Sequence, residues 1–487
     1  MMKQNIYQTV CPGCNMGCGL YIRENEDLTT IVDFRKSSPV NLGKLCRFGM
    51  KLHHHYKVAT NKVDDKESSI EDAIEAVAYR LKNAKGVAFL SVGGTTMEEH
   101  FAFTKIAKSV DAPVFTGVSA YSEIPNNCVS FIQNGVSLEC IENAKRIITM
   151  VDPYIQYPLL LRRLLIAKKN GAKITAIGQK SVPMADETLY NIPENHEDAN
   201  LDGESIIITD VHPHSETEEI KCLISIASKT GAKILFMKPF INATGILKIS
   251  DVPKNDGIDE ILNAINNGDI KTLALLDTDI VEIMPHTDKV IETLKKLENL
   301  IVITSRESPI NSIATVVLAT ESVYAKAGRF MNIEGEVISN SGDGTKGIDA
   351  LSEVYKNIKG KEFNYDSLKV EVDEILATED ELDEACAVIE CEDLGFLRKQ
   401  VEQPVLVSMY NPFMWFDEPD DNDFVMINRK MVQDLGLIKG GTISLKPEFG
   451  DAIKMQFRID EVPDNVIISN KKLSIAVGNE TVITTEG

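Results

Sequence analysis

Four cysteines near the start of the chain constrain its fold more than any other feature. Cys11, Cys14, Cys18 and Cys46 follow the spacing C-x2-C-x3-C-x27-C, which places three thiolates on one tight loop and brings back a fourth after a longer excursion. A cubane cluster requires such convergence, because four soft sulfur ligands must surround a compact inorganic core. We therefore predict that residues 1–55 form a cap of strands and turns around one [4Fe-4S] cluster.

Two alternatives remain open for these four cysteines, a structural Zn(Cys)4 site and unliganded core cysteines. Zinc sites more often use paired C-x2-C knuckles than a three-plus-one arrangement, so the spacing favours iron. The chain has nine cysteines, an odd number, and their uneven distribution argues against a disulfide framework. We expect Cys386 and Cys391 to be free thiols, with a redox role facing a partner as the alternative.

The charge balance excludes some classes of protein. The 487 residues include 51 Lys and Arg against 73 Asp and Glu, which gives a formal net charge of −22. Binding to nucleic acid or to an anionic membrane requires a basic face, and we expect neither. No apolar run is long enough to span a bilayer, and the first residues lack the apolar core of a signal peptide. We expect a cytoplasmic protein without direct membrane insertion.

After the cap, apolar runs alternate with amphipathic stretches. This alternation predicts parallel sheets covered by helices, and hence an α/β fold with two interleaved doubly wound layers over residues 56–351. An acidic connector is predicted for residues 352–400 and a small β-barrel for residues 401–487. The main predicted strands are residues 87–92, 146–151, 173–177, 205–209, 233–237, 272–276 and 300–304.

Several segments resemble one protein family. TVCPGCNMGCGLYI and its continuation SPVNLGKLCRFGMK closely resemble the amino-terminal cluster domain of molybdopterin oxidoreductases, especially cytoplasmic formate dehydrogenase catalytic subunits. The segment AGRFMNIEGEV is similar to that family's second-layer signature, and residues 424–470 resemble its carboxy-terminal pterin-dinucleotide barrel. The length of the chain is closer to that of the formylmethanofuran dehydrogenase branch.

The resemblance implies a second cofactor, a bis-molybdopterin guanine dinucleotide that carries Mo or W. It places the dinucleotide near the turn after residue 92, with a plain strand-to-helix turn as the alternative there. It also implies contacts from the loop at residues 242–245, from the second-layer signature and from the barrel. The candidate cofactor-binding residues are Gly93, Gly94, Thr95, Asn242, Gly245, Asn332, Glu334 and Asn428.

The active-centre motif departs from the family pattern. The family has a Cys or selenocysteine on the metal followed directly by His, whereas here Cys128 is followed by Val129. Cys128 is the candidate catalytic thiolate, and a buried structural cysteine is the alternative. Lys238 lies near the position of the family's substrate-binding Arg, with an ordinary loop lysine as the alternative. His53, His54 and His55 are expected on a solvated turn.

Two functions follow from the resemblance and its departures. The first is an iron-sulfur electron-transfer oxidoreductase subunit that acts on formate or a formyl group. Its partners would be other iron-sulfur or flavin subunits and ferredoxin-like carriers. The second is a non-catalytic wire or scaffold that keeps the cluster but has lost the Mo/W site, like the large iron-sulfur subunit of complex I. Because the Cys-His pair is missing, we expect the isolated chain to oxidise formate slowly or not at all.

Overall fold

The amino-terminal cap is a small antiparallel sheet followed by two helical turns. The structure is a computed structural model that describes residues 5–24, 30–55, 57–125, 128–178, 182–189, 200–284, 287–378, 405–408, 424–438, 441–446, 453–469 and 484–486. The cap elements are β1 (Asn5–Val10), β2 (Gly19–Glu24), β3 (Thr30–Phe34), α1 (Arg47–Met50) and α2 (Leu52–His55). The loop between β1 and β2 carries three of the four clustered cysteines.

Two mainly parallel sheets and a separate antiparallel pair, β16 with β17, follow the cap, and strands and helices alternate along this part of the chain. The strands are β4 (Lys62–Val63), β5 (Lys66–Glu67), β6 (Val87–Leu90), β7 (Val114–Phe115), β8 (Arg146–Thr149), β9 (Lys173–Ile177), β10 (Glu187–Leu189), β11 (Ser205–Asp210), β12 (Lys233–Met237), β13 (Thr272–Leu276), β14 (Asn299–Thr304), β15 (Val316–Ala319), β16 (Ala327–Met331) and β17 (Val337–Ser341). The helices are α3 (Ile70–Asn83), α4 (Met97–Ser109), α5 (Ser119–Glu123), α6 (Val129–Gln133), α7 (Leu138–Asn143), α8 (Pro158–Lys169), α9 (Thr217–Thr230), α10 (Ala243–Ile249), α11 (Ile258–Asn267), α12 (Ile280–Ile283), α13 (Thr287–Leu294), α14 (Lys346–Lys359) and α15 (Tyr365–Ala377).

The two layers are interleaved in sequence. One sheet has the strand order β5-β4-β15-β14-β13-β6-β7, and the other has the order β10-β9-β8-β11-β12. The whole second sheet is inserted between β7 and β13 of the first, although β13 pairs directly with β6 in parallel. The predicted mixed α/β fold with an amino-terminal cluster cap is therefore confirmed.

Alternating side chains of the central strands explain why both sheet faces are covered. On β13, Leu273 and Leu275 enter a core with α11 and α13, whereas Ala274 and Leu276 enter a core with α3, α4 and α14. Side chains of successive strand residues point to opposite faces, so an apolar strand needs helices on both sides. Ser69 is the N-cap residue of α3, since its hydroxyl accepts a hydrogen bond from the Asp72 N–H.

The cap shares its hydrophobic core with the five-stranded layer. Met16, Leu20 and Ile22 of the cap are buried in the same cluster as Leu160 of α8 and Ile174 of β9. Shared burial of this kind removes apolar surface from water on both partners. The five-stranded layer therefore provides the surface on which the cysteine loop is positioned.

Residues 352–400 were predicted to be an acidic connector, but the first half of this segment packs into the hydrophobic core. Val354 of α14 and Leu368 of α15 are buried against helices of the seven-stranded layer, and Val372 of α15 packs on Met97. Amphipathic spacing, rather than charge, decides the position of these helices. The acidic stretch at residues 379–400, with Cys386 and Cys391, lies outside the described residues.

The carboxy-terminal region is a mixed sheet with one helix. Its elements are β18 (Val405–Ser408), β19 (Phe424–Ile427), α16 (Arg429–Asp434), β20 (Thr442–Lys446), β21 (Ile453–Ile459), β22 (Val466–Ser469) and β23 (Thr484–Glu486). The strand order is β18-β22-β19-β21-β20-β23, and no pairing between described residues joins β18 to β23. Closure into a barrel thus stays a prediction. None of the described helices has the length and hydropathy needed to cross a membrane.

Candidate iron-sulfur site

The structure brings the four predicted cluster ligands to one cavity. Cys11, Cys14 and Cys18 come from the loop between β1 and β2, and Cys46 is the N-cap residue of α1. The cavity has about 360 Å³ of empty volume. The rest of its wall is mostly apolar and consists of Met16, Leu45, Gly49, Tyr157, Pro158 and Leu159.

The four thiols bear on the two metal sites that the sequence left open. All four cysteines are free thiols. Among the described residues, no three Cys, His, Asp or Glu side chains converge closely enough to hold a single metal ion. A zinc ion would need its sulfur ligands about 2.3 Å from one central point. Four free thiols that line one cavity offer one ligand to each corner of a [4Fe-4S] core, and their three-plus-one spacing in the sequence favours iron over zinc.

Burial disfavours the thiolate form of these four cysteines unless a cationic partner is present. It raises the pKa of Cys14 to about 12, against weaker lowering by the Met16 N–H. Burial also raises the pKa of Cys11 and Cys18, and repulsion among the neighbouring cysteines adds to it. Thiolates, not thiols, ligate metals, so a positively charged core would supply the missing compensation.

Asn41 holds the two ligand-bearing loops together. Its side-chain oxygen accepts a hydrogen bond from the Gly19 N–H at 2.9 Å. Its amide nitrogen donates to the Gly19 carbonyl at 3.0 Å and to the Lys44 carbonyl at 2.7 Å. Gly19 follows Cys18, and Lys44 lies two residues before Cys46. One buried amide therefore fixes the fourth ligand relative to the other three.

Asn15 docks the cysteine loop on the five-stranded layer. Its amide nitrogen donates to the Phe236 carbonyl at 3.0 Å, and its oxygen accepts from the Lys238 N–H at 2.9 Å. The Asn15 N–H in turn donates to the Lys238 carbonyl at 3.0 Å. Since Asn15 lies directly after Cys14, these three bonds place that ligand with respect to the end of β12. Sequence reasoning missed both asparagines, because neither contact leaves a local pattern.

The candidate residues Asn332 and Glu334 lie behind the cysteine loop. The Asn332 oxygen accepts hydrogen bonds from the N–H groups of Glu334 and Glu336, both at 2.9 Å. The Glu334 carboxylate accepts from the Leu138 N–H at 2.8 Å. Gly17 has φ +75°, and a Cβ there would lie 2.6 Å from the Asn332 Cβ. In this structure the signature packs against the cap, and its predicted contact with a pterin stays a prediction.

The loops at Gly93 and Asn242 pack directly on each other. The Asn242 N–H donates to the Gly93 carbonyl at 3.1 Å, and its amide nitrogen donates to the Thr95 carbonyl at 2.8 Å. A Cβ on Gly93 would lie 2.6 Å from the Ala243 nitrogen, and one on Gly245 would lie 2.1 Å from the Asn242 side-chain oxygen. Cofactor binding by these residues stays a prediction. Asn428 caps α16 by accepting from the Met431 N–H at 2.7 Å.

A second, polar cavity lies beside the cysteine loop. It has about 450 Å³ of empty volume and includes Pro12 and Gly13 of that loop together with Gly94. Its opposite wall follows β13 and β14, whose carboxyl ends are where α/β sheets bind ligands. That wall contributes Asp277, Asp279, Glu282, Ser305 and Arg306. These residues were not predicted from sequence.

The acidic groups of this second cavity already have protein partners. Asp277 accepts hydrogen bonds from the Ser305 N–H at 2.7 Å and from Lys326 Nζ at 2.6 Å. Burial alone would lower the pKa of Lys326, but Asp277 and Glu99 outweigh it and hold that pKa above its ordinary value. Burial raises the pKa of Glu99 to about 7 even though Lys326 lowers it. The result is a buried ionic cluster that fixes the cavity wall.

Cys128 does not present a free thiolate in this structure. Its side chain is fully buried in an apolar cluster with Tyr121, Ile124 and Ile132. Cys128 and Cys222 of α9 are each disulfide-bonded, and the other described cysteines are free. The sequence predicted no disulfide framework, and it did not indicate a disulfide at Cys128. Cys128 could ligate a metal only after the disulfide is reduced. Its role as a metal ligand stays a prediction.

Lys238 is an internal residue in this structure. Its amino group donates to the Ile132 carbonyl and to the Thr244 hydroxyl, both at 2.8 Å, and only 2% of the residue is exposed. Burial and the nearby Lys248 lower its pKa to about 7. To bind a substrate carboxylate, the Lys238 amine would have to give up its hydrogen bonds to Ile132 and Thr244. Its predicted role in substrate binding stays a prediction.

The cap matches a known domain in sequence. Residues 4–57 match the family model for the molybdopterin oxidoreductase Fe4S4 domain. The chain is 30% identical over 199 residues to the F420-dependent formate dehydrogenase subunit alpha of Methanocaldococcus jannaschii. It is 27% identical over 227 residues to the F420-dependent formate dehydrogenase 2 subunit alpha of Methanococcus maripaludis. These matches cover 36% and 41% of this chain, but only 28% and 32% of the relatives.

Two more comparisons extend this similarity. The chain is 32% identical over 108 residues to the NADPH-Fe(3+) oxidoreductase subunit alpha of Geobacter sulfurreducens, which covers 21% of this chain and 13% of the relative. The solved structure of acetylene hydratase from Pelobacter acetylenicus has a TM-score of 0.60 at 11% identity, covering 95% of this chain and 92% of that one. At that identity the likeness shows the fold alone. The chain therefore carries a molybdopterin oxidoreductase Fe4S4 domain and is related in sequence to formate dehydrogenase alpha subunits.

Proposed function

We propose that this chain is the iron-sulfur electron-transfer subunit of a multi-subunit redox complex, and that the complex acts on formate or a formyl group. The observation that carries the proposal is the convergence of four free thiols on one apolar cavity beside a second, polar cavity. The relatives are alpha subunits by name, and their names supply the substrate class and the expectation of partners. Iron-sulfur or flavin subunits and ferredoxin-like carriers are the partners that suit this chemistry.

The residues of the chain have defined tasks in this function. A bound [4Fe-4S] cluster supplies one-electron transfer. The four cysteines hold it, and Asn15 and Asn41 fix the loops that carry them. The apolar wall excludes water, and burial together with hydrogen bonding near the sulfurs tunes the reduction potential. A pterin dinucleotide, when bound, supplies the metal-based exchange of electrons with the substrate.

Among the described residues, those of the polar cavity form the best candidate site for the nucleotide part of such a pterin. Gly94 lines it, as the resemblance predicted for a cofactor contact, and its opposite wall lies at the carboxyl ends of β13 and β14, where α/β sheets bind ligands. Cys128, however, is disulfide-bonded in this structure, so it is not a free thiolate ligand for a molybdenum or tungsten ion.

This last observation favours a second candidate function, a wire or scaffold that keeps the cluster without Mo or W. Elemental analysis of protein purified without oxygen separates the two functions. Four irons per chain with molybdenum or tungsten would support the oxidoreductase subunit. Four irons with neither metal would support the wire, and no iron would contradict both. Reduction of a dye by formate, measured on the same sample, adds a check on the substrate class.

The remaining assignments are proposals as well. We propose domain boundaries at residues 1–55, 56–351, 352–400 and 401–487, with the last region closing into a dinucleotide-binding β-barrel. Support for the barrel comes from the six-stranded sheet and its buried core of Val425, Ile443 and Ile467. The cytoplasmic location expected from the sequence stays a prediction.

A further inference from the structure

The second half of the cluster cap has a charge opposite to that of the whole chain. Residues 34–63 contain seven Lys and Arg and no Asp or Glu, although the full sequence has a net charge of −22. The acids that flank this segment pair with cations outside it, since Asp33 pairs with Arg23 and Asp64 pairs with Arg80. The segment therefore keeps an excess of positive charge.

Six exposed side chains of this segment form what we call the cationic face. Three of them precede the ligand Cys46 in the sequence, and three follow it on α1 and at the C-cap of that helix. They are Lys36, Leu42, Lys44, Arg47, Met50 and Lys51. The turn before Cys46 packs on Lys36, because a Cβ on Gly43 would lie 3.0 Å from the Lys36 Cγ. Lys36 thus lies beside the turn that carries Leu42 and Lys44.

The other half of the cationic face is one side of α1. Met50 and Lys51 follow Arg47 by three and four residues, a spacing that places side chains on the same side of a helix. Cys46 and Gly49, which lie between or next to these residues in the sequence, line the cluster cavity. The same helical turn therefore carries the cationic face on its outer side and part of the cavity wall, so a protein bound to this face lies next to the cluster.

Two large apolar side chains lie among these cations. Leu42 is 45% exposed and Met50 is 46% exposed. Leu42 has φ +46°, in the left-handed region that a branched residue rarely adopts, and its N–H donates to the Ser38 carbonyl at 2.9 Å. Protein interfaces combine an apolar centre with a polar rim and are enriched in Met and Arg. The composition of the cationic face is therefore typical of a protein contact surface.

The charge of this face favours one class of partner, an acidic protein. A local charge steers an oppositely charged partner toward itself and orients it during the encounter. Because the whole chain is strongly acidic, its remaining surface repels the same partner and restricts binding to the side of the cluster. A nucleic acid or an anionic membrane is disfavoured, since such extended polyanions would also meet the acidic remainder of the surface.

We propose that the cationic face is the docking site of an acidic redox protein that exchanges one electron with the cluster held by the four cysteines. The proposal rests on the cluster binding of the proposed function. The reduced carrier loses one electron and the oxidised cluster gains it, or the reverse, and no bond forms or breaks. Electron-transfer encounters of this kind bury less than about 1,200 Å² in total, which suits a small face.

The test is anaerobic stopped-flow kinetics on the full chain with its cluster, and the probe is an acidic [2Fe-2S] ferredoxin that has been reduced beforehand. The screening length is about 30 Å at about 10 mM salt and about 3 Å at about 1 M salt, so the second-order rate constant should fall at least about 10-fold between the two. The double variant Lys44→Glu with Lys51→Glu should be at least about 10-fold slower than the wild type at low salt and should match it at high salt.

Lys82→Glu with Lys85→Glu is the matched control, because both lysines are exposed at the end of α3 and the net charge changes equally. This variant should stay close to the wild type at every salt concentration. Reduced methyl viologen, a small cation, serves as a second probe. It should react with Lys44→Glu, Lys51→Glu at least as fast as with the wild type.

In protein with four irons per chain, a ferredoxin rate that does not change with salt, or an equal loss of rate in the control variant, would overturn the proposal and leave the proposed function intact. Slower reaction of the double variant with methyl viologen would assign the lysines to the cluster itself and overturn the docking site. Binding of duplex DNA or of anionic vesicles that the double variant loses, at an unchanged ferredoxin rate, would overturn it too. Protein that binds no iron would contradict both.

Discussion

Replacing Asn41 by Ala should open the cluster cap without unfolding the body of the protein. The substitution removes three hydrogen bonds, to the Gly19 N–H, the Gly19 carbonyl and the Lys44 carbonyl. A hydrogen bond of this kind contributes about 1 kcal/mol net, so the loss is about 3 kcal/mol. Because about 1.4 kcal/mol corresponds to a factor of ten, the open form of the cap should become about 100-fold more populated.

The assay is the anaerobic release of iron to a ferrous chelator that attacks the opened cap. When opening is rapid, the release rate follows the population of the open form, so Asn41→Ala should lose iron about 100-fold faster than the wild type. Asn170→Ala serves as the control, since Asn170 is exposed and donates one hydrogen bond, to the Glu142 carbonyl. Release from Asn41→Ala within twofold of the control would refute the idea that this amide secures the ligand loops.

Three further predictions concern the ligands, the buried ion cluster and pH. Cys14→Ser should lose most of the iron and the broad visible absorption, and a variant that keeps four irons would contradict the ligand assignment. Lys326→Met should lower the free energy of unfolding by about 3 to 5 kcal/mol in a denaturant titration, because Glu99 and Asp277 would remain buried without their cation. Since burial raises the pKa of Asp210 in the folded state to about 7, its contribution to stability is present below about pH 4 and is lost as the pH rises through 7. Between pH 5 and pH 8 the wild type should therefore lose about 2 kcal/mol more than Asp210→Asn.

Local patterns in the sequence were sufficient for the strands and for the cluster ligands. The strands at residues 173–177, 233–237 and 272–276 have the predicted bounds, because short apolar runs between turn residues allow few other structures. The thiols of Cys11 and Cys46 share a cavity, as their spacing predicted.

Long-range contacts could not be predicted from local patterns in the sequence. Asn15 hydrogen-bonds to residues more than 200 positions away, and an isolated buried asparagine has no periodicity to reveal its partner. The wall of the polar cavity depends on how β13 and β14 are placed against the cysteine loop, which no local segment specifies. The disulfide at Cys128 was missed because the chain as a whole lacks the cysteine density of a disulfide framework.

The docking of Asn15 on Lys238 has a consequence for biosynthesis. The two residues are 223 positions apart, so the ribosome completes the cysteine loop long before its docking surface exists. At about 5 to 20 residues per second, this delay lasts about 10 to 45 seconds. During that interval three reactive thiols on a nascent chain are open to oxygen, and they are equally open to the proteins that deliver iron and sulfide. Cluster insertion would therefore be easiest before translation ends.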